Sequence, residues 1–156
     1  MIMIRKYMKS DARAVAALIS RTYSQFCRVE GTESAVQGYI DYYNPSGKSD
    51  DELDALFSQT PFRLIAVATQ KIVGILRAKE NRITNLFVDG DHHRQGIAKR
   101  LVCRFEEVCQ TEGFTEIVLR GSLYAIPFYE SLGYKNTTGI QVFRGLKIQP
   151  MKKKLK

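Results

Sequence analysis

Val88-Asp89-Gly90-Asp91-His92-His93-Arg94-Gln95-Gly96-Ile97-Ala98, continuing as Lys99-Arg100-Leu101-Val102, is the stretch whose reading decides the fold. Before it runs Ile83 to Val88, a short β-branched and aromatic segment without a breaker; after it runs an amphipathic helix. The small residues Gly96 and Ala98 fall where that helix begins. A strand that turns through small residues into a helix leaves several backbone N–H groups unpaired. The positive end of the helix dipole lies at the same place, so an anion such as a phosphate is the natural ligand. Small side chains let it approach the backbone.

The loop is not a generic nucleotide loop. A P-loop needs two glycines flanking four residues, then Lys and Ser or Thr. Here Gly90 and Gly96 are followed by Ile97-Ala98, and the three glycines of a dinucleotide loop are missing. Taken by spacing alone, one glycine at a helix start also fits an ordinary strand-to-helix turn.

Outward from this stretch, 156 residues with 44% hydrophobic content predict one globular domain, 1–156, with a full core. No apolar run reaches the roughly 18 residues of a membrane span. Met1-Ile2-Met3-Ile4-Arg5-Lys6 reads as a strand rather than a secretion signal. The three cysteines, Cys27, Cys103 and Cys109, have no metal-type spacing, so no metal is expected, and buried thiols in a reduced cytoplasm fit best. The net charge of +8 fits a polyanionic cofactor, nucleic acid or a solvated surface. About half of it sits in Lys152, Lys153, Lys154 and Lys156, which read as a solubilising tail.

The element order is mixed. Ile2 to Met8 reads as a strand; Ser10-Asp11 supplies an N-cap for a helix to about Phe26, striped by Ala14, Val15, Leu18 and Ile19. A helix over about Glu33 to Tyr43 ends at Asn44-Pro45-Ser46-Gly47, and Asp50 to Ser58 opens with acidic residues as a short helix does. Phe62 to Thr69 and Ile72 to Lys79 form a hairpin, and Ile83 to Val88 is the fourth strand. Ile97, Leu101, Phe105 and Val108 mark a helix closed at Glu112-Gly113. Glu116 to Arg120 is a strand, Tyr124 to Leu132 a helix, and Tyr134 to Thr138 with a run in Val142 to Leu155 complete the sheet. The expected class is α/β: a mixed, mostly antiparallel twisted sheet of six to seven strands with helices on both faces.

A second motif follows about 30 residues downstream: Ser122-Leu123-Tyr124-Ala125-Ile126-Pro127-Phe128-Tyr129-Glu130-Ser131-Leu132-Gly133-Tyr134. With the Val88 to Ala98 stretch it resembles the GNAT superfamily of acyl-CoA N-acyltransferases across the whole chain. That family's first motif, Gln or Arg, two residues, Gly, one residue, Gly or Ala, becomes His93, Arg94-Gln95, Gly96, Ile97, Ala98. Its second usually begins with Asn; Ser122 stands there, and Ala125, Phe128-Tyr129 and Leu132-Gly133-Tyr134 match.

The resemblance implies acetyl-CoA as acyl donor. It implies a pantetheine arm beside Leu86, Phe87 and Val88, a pyrophosphate on the N–H groups of Arg94, Gln95, Gly96, Ile97 and Ala98, and contacts from His93, Lys99 and Ser122. Backbone binding explains why His93 can replace Gln or Arg. Tyr129 stands where the family places its general acid.

The chemistry sets proton demands. A lysine-like amine has a pKa of about 10.4, so at neutral pH only about one in a few thousand is ready to attack. A base, a water chain or a desolvating pocket must supply the difference. A backbone N–H of the fourth strand would serve the oxyanion, and the leaving thiolate needs a proton. Some relatives carry a glutamate on the fourth strand; Arg82-Ile83-Thr84-Asn85-Leu86 has none. Glu80, Asp89, His92 and a water chain remain open as the base. The acceptor is expected against Tyr23 to Thr60, where Tyr23, Tyr39, Tyr42 and Tyr43 with Asp41, Asp50, Asp51, Glu52 and Asp54 suggest a cation-binding surface.

The expected activity is acetyl transfer to a primary amine by direct attack in a ternary complex. A small-molecule acceptor is favoured over a protein lysine or N-terminus, with no nucleic-acid or membrane partner, as a monomer or homodimer. A non-catalytic acyl-CoA-binding module is the rival. A basic DNA-binding protein is a weaker one, because the strand Glu116 to Arg120 stands where a recognition helix would be needed.

Overall fold

The computed structural model describes residues 1–156. β1 (Ile2–Lys6) is followed by a 3-10 turn and three helices, α1 (Ala12–Phe26), α2 (Glu33–Tyr43) and α3 (Asp50–Ala55). Three antiparallel strands come next, β2 (Phe62–Ala68), β3 (Lys71–Lys79) and β4 (Arg82–Val88), then α4 (Ile97–Thr111) and β5 (Glu116–Gly121). A 3-10 turn at Leu123–Ala125 opens α5 (Ile126–Ser131), and β6 (Lys135–Asn136), β7 (Gln141–Phe143) and β8 (Leu146–Lys154) close the chain.

Local chemistry accounts for most boundaries. Thr32 caps α2 by accepting from the Ala35 N–H at 3.2 Å, and Ser49 and Glu52 form a capping box on α3. Asp11 stands at the start of α1 without capping it through its side chain. Its carboxylate instead takes two 2.9 Å bonds from Arg5 and one of 2.7 Å from the Met8 N–H. The expected N-cap is therefore a clamp from α1 back to β1.

The strands form one sheet in the order β1-β2-β3-β4-β5-β8-β6, with β7 paired to β8. It has eight strands, because the run within Val142 to Leu155 turns at Arg144-Gly145 and contributes two. Alternation along β2 divides the core. Leu64, Ala66 and Ala68 pack with α4 residues Leu101, Val102 and Phe105, while Ile65 packs with Val15, Leu18 and Ile19 of α1. α1 and α4 thus cover opposite faces, and a Leu101→Ala truncation would cost about 2–5 kcal/mol.

Lys152, Lys153 and Lys154 belong to the expected strand run within Val142 to Leu155 and not to a free tail: they pair along β5 as Val118↔Lys152, Ile117↔Lys153 and Glu116↔Lys154. Lys153 also reaches Glu106 at 3.1 Å. Hydrogen bonding down the strand, which composition does not reveal, is why the expected solubilising run is structural.

β4 and β5, the parallel pair, are in register only at Arg82↔Val118 and Ile83↔Leu119, and beyond Ile83 they part. A shift in the β3–β4 register, from Arg77↔Asn85 to Ala78↔Ile83, leaves Thr84 as an extra residue in the bulged strand.

Candidate functional site

Where β4 and β5 part, two cavities meet. Leu86, Phe87, Ser122 and Ala125 line both.

The larger, roughly 680 Å³, runs along the end of β4 to the start of α4. Val88, His93, Arg94, Gly96, Ile97, Ala98 and Lys99 line it with Leu86, Phe87 and Ser122, so ten of the eleven residues expected to contact the donor share one cavity. Gln95 is the exception; its side chain is exposed and off the wall. Gly96 caps α4 at φ +77°, a left-handed conformation that a side chain would strain. The backbone N–H groups of Arg94, Gln95 and Gly96 make no hydrogen bond within the protein. The first turn of α4 adds N–H groups that any helix leaves without internal partners. Thr22 Oγ1, buried in the same wall, also lacks a partner.

α1 contributes to this cavity in a way its sequence does not announce. Phe26 stacks against both His93 and Tyr124, its centroid 4.7 Å from each ring, and the three rings form a cluster. His93 Nε2–H donates to the Val88 carbonyl at 2.8 Å, which leaves Nδ1 to face the Tyr124 hydroxyl at 3.4 Å. Glu30, just past α1, is buried and accepts from the N–H groups of Leu123 (2.6 Å) and Tyr124 (3.0 Å), fixing the turn that leads to α5. The neighbouring Cys27 thiol is pushed up to about 12 by burial and by Glu30, so it stays protonated.

The smaller cavity, roughly 280 Å³, is bounded by Tyr23, Tyr39 and Tyr43 from α1 and α2, by Thr84 and Asn85 of β4, and by Arg120, Tyr129 and Lys147. Tyr23 and Tyr39 stack at 4.1 Å. Tyr129 is 4% exposed and packs edge-on against Phe128 and Tyr134. Its hydroxyl has no hydrogen-bond partner in the protein, and burial raises the phenol above its ordinary value.

The expected acidic wall is absent from this cavity. No Asp or Glu lines it, and Tyr42 is exposed outside it. The acids are occupied elsewhere: Asp41 by Gln37, Asp50 by Arg13, Asp54 by Tyr7, and Glu52 by its cap. The base candidates also lie apart. Asp89 is buried between Arg21 and His92, each at 3.1 Å, and Glu80 sits in the β3–β4 turn. Burial pushes the Asp89 carboxyl up, but the His92 and Arg21 bonds outweigh it and hold it below the usual range.

An open sheet parted at one parallel pair, with a helix start below the parting and an aromatic pocket above it, defines an N-acetyltransferase-type architecture. The acetyltransferase (GNAT) domain model matches residues 30–155, and the chain belongs to the GNAT acetyltransferase family. N-acetyltransferase 8 of Homo sapiens is 31% identical over 112 residues, 64% of this chain and 49% of that protein. The chain spans about half the length of that relative. Among solved structures, a GCN5-related N-acetyltransferase from Rhodopseudomonas palustris superposes with a TM-score of 0.81 at 20% identity, covering 98% of this chain and 95% of that one. PaiA N-acetyltransferase from Thermoplasma acidophilum, in complex with coenzyme A, gives 0.75 at 20% identity with 99% of both chains covered. No helix is long and apolar enough to cross a membrane.

Proposed function

We propose that residues 1–156 form one catalytic domain that transfers an acetyl group from acetyl-CoA to a primary amine, by direct attack in a ternary complex. The observation that carries this reading is the parting of β4 and β5 into two communicating cavities. One ends in unpartnered main-chain N–H groups, and the other holds an unpartnered phenol.

The donor fits the larger cavity. Bound there, acetyl-CoA supplies the acetyl group as a thioester. The N–H groups of Arg94, Gln95, Gly96 and the first turn of α4 receive the pyrophosphate, with Lys99 adding charge. The pantetheine follows Leu86, Phe87 and Val88 toward Ser122, where the two cavities join. His93 occupies the Val88 carbonyl and so fixes the strand end instead of reaching the ligand as a donor.

Tyr129 holds its proton at the hydroxyl oxygen and delivers it to the departing thiolate. Burial favours the neutral phenol, so that proton remains available throughout the neutral range. None of His92, Asp89 and Glu80 lines the acceptor cavity. We therefore assign deprotonation of the amine to water entering that cavity. Its size, roughly 280 Å³, suits a small molecule better than a protein lysine or N-terminus. The three free cysteines support a cytoplasmic setting.

Steady-state release of free thiol from acetyl-CoA across an amine panel tests the proposal. Amine-dependent release is expected. Thermal protection by acetyl-CoA without release for any amine would make the protein a binding module instead.

A further inference from the structure

We propose that the acceptor amine carries a carboxylate, which the smaller cavity selects through Arg120 and Lys147 at its rim, with the buried Arg77 guanidinium behind its wall. This rests on the acetyltransferase reading and narrows its substrate class.

The charge around this cavity is one-sided. Arg77 on β3 is 4% exposed, and every group it touches is neutral. It donates to Thr60 Oγ1 at 2.9 Å, to the Leu56 carbonyl at 3.1 Å, to the Tyr43 hydroxyl at 3.3 Å and to Asn85 Oδ1, and it stands over the Phe57 ring. A buried charge without a counter-charge is costly. Three other cations are each matched by a carboxylate: Arg5 by Asp11, Arg21 by Asp89 and Lys153 by Glu106. Tyr43 and Asn85, which Arg77 contacts, line the cavity and carry its positive potential inward.

The rim repeats the pattern. Arg120 near the end of β5 and Lys147 at the start of β8 both line the opening, and neither pairs with a carboxylate. Arg120 rests over the Phe143 ring instead, 5.4 Å from its centroid. The Glu30 carboxylate is spent on the Leu123 and Tyr124 N–H groups.

A simple ammonium compound would meet three like charges here. An amine with a carboxylate a few bonds away brings the missing counter-charge, while the Tyr23–Tyr39 stack offers a face to an apolar remainder. The same cations disfavour the protonated amine and so raise the fraction able to attack.

The test compares amines that differ only in the carboxylate: leucine with isoamylamine, phenylalanine with phenethylamine, and lysine with cadaverine. A charge-assisted contact at a partly exposed rim predicts at least about a tenfold higher kcat/KM for each amino acid. In the double variant Arg120→Gln with Lys147→Gln that ratio falls toward one through the acceptor KM, with the acetyl-CoA KM unchanged. Equal or better use of the decarboxylated partners, or a ratio that survives the double variant, overturns the proposal. If no amine is acetylated, the acetyltransferase reading fails, and binding still decides this one. With CoA present, N-acetylphenylalanine should raise the melting temperature and N-acetylphenethylamine should not; equal effects, or none from either, would reject carboxylate selection.

Discussion

Beside the larger cavity, three consecutive residues, Arg94, Gln95 and Gly96, carry main-chain N–H groups without a partner in the protein. Around the smaller one the polar groups are side chains from scattered elements: Tyr23 and Tyr39 from two helices, Asn85 and Arg120 from two strands, Tyr129 from α5 and Lys147 from β8. A site made of backbone tolerates changes of side chain and fails only when the backbone's shape or access changes. A site made of side chains can be retuned one residue at a time. On the proposed reading, the first construction would serve the donor and the second the acceptor.

Gly96→Glu tests the backbone side most severely. At φ +77° any side chain brings about 1–2 kcal/mol of strain, and a carboxylate opposes an anion at a helix start by up to about 2 kcal/mol more. Acetyl-CoA affinity should fall at least about a hundredfold by calorimetry. A normal affinity would mean that the pyrophosphate sits elsewhere.

Tyr129→Phe is the counterpart on the other side. It keeps the ring packed between Phe128 and Tyr134 and removes the proton. Turnover should drop about 10²-fold, the lower end for a general acid, with acetyl-CoA affinity and melting temperature unchanged. Because burial raises this phenol, the wild type should show no alkaline loss of rate from Tyr129 across the neutral range. Unaltered turnover in the variant would return Tyr129 to a packing role.

Arg77→Met asks how much the acceptor wall depends on one side chain. Relief of a buried charge favours the variant, but Asn85 Oδ1, Thr60 Oγ1 and the Leu56 carbonyl lose their donor. The unsatisfied acceptors should dominate, lowering stability to urea by about 2 kcal/mol. A more stable variant would show the charge to be the larger liability.

Asp89→Asn loosens the loop behind the donor cavity, for about 1 kcal/mol. The native carboxyl lies below its ordinary 3.8. Its contribution is therefore complete above that pH and fades as the pH falls through the lowered native value. Urea midpoints of wild type and variant should differ at pH 7 and converge on acidification; a constant gap would dissociate the effect from ionisation. Gln95→Ala should do least, leaving acetyl-CoA affinity within about twofold, since its exposed side chain lies off the cavity wall.

The same contrast explains what the sequence made legible. Gly96 and its neighbours are contiguous, and a helix start with free N–H groups is a property of local backbone shape, so a cavity shared by most of them could be anticipated. The acidic acceptor wall could not be judged from Asp41 to Asp54, because whether an acid faces a pocket depends on partners such as Tyr7 and Arg13. Arg120 and Lys147 are far apart in sequence and line one cavity because β5 pairs with β8. Phe26 and Glu30 carried no signal at all, since stacking and capping across tertiary contacts have no period.

The placement of β8 also bears on how the chain is made. It follows β5, β6 and β7 in sequence, yet it lies between β5 and β6 and holds all three. During synthesis the meander β1–β4, with α1 and α4, can assemble while one edge of β5 still waits for its partner. Every residue that lines the larger cavity has been made by Leu132, whereas the smaller one also needs Leu146, Lys147 and Ile148. An unpaired strand edge on a nascent chain invites pairing with other chains. The lysines of β8 give the late strand a charge that disfavours such pairing.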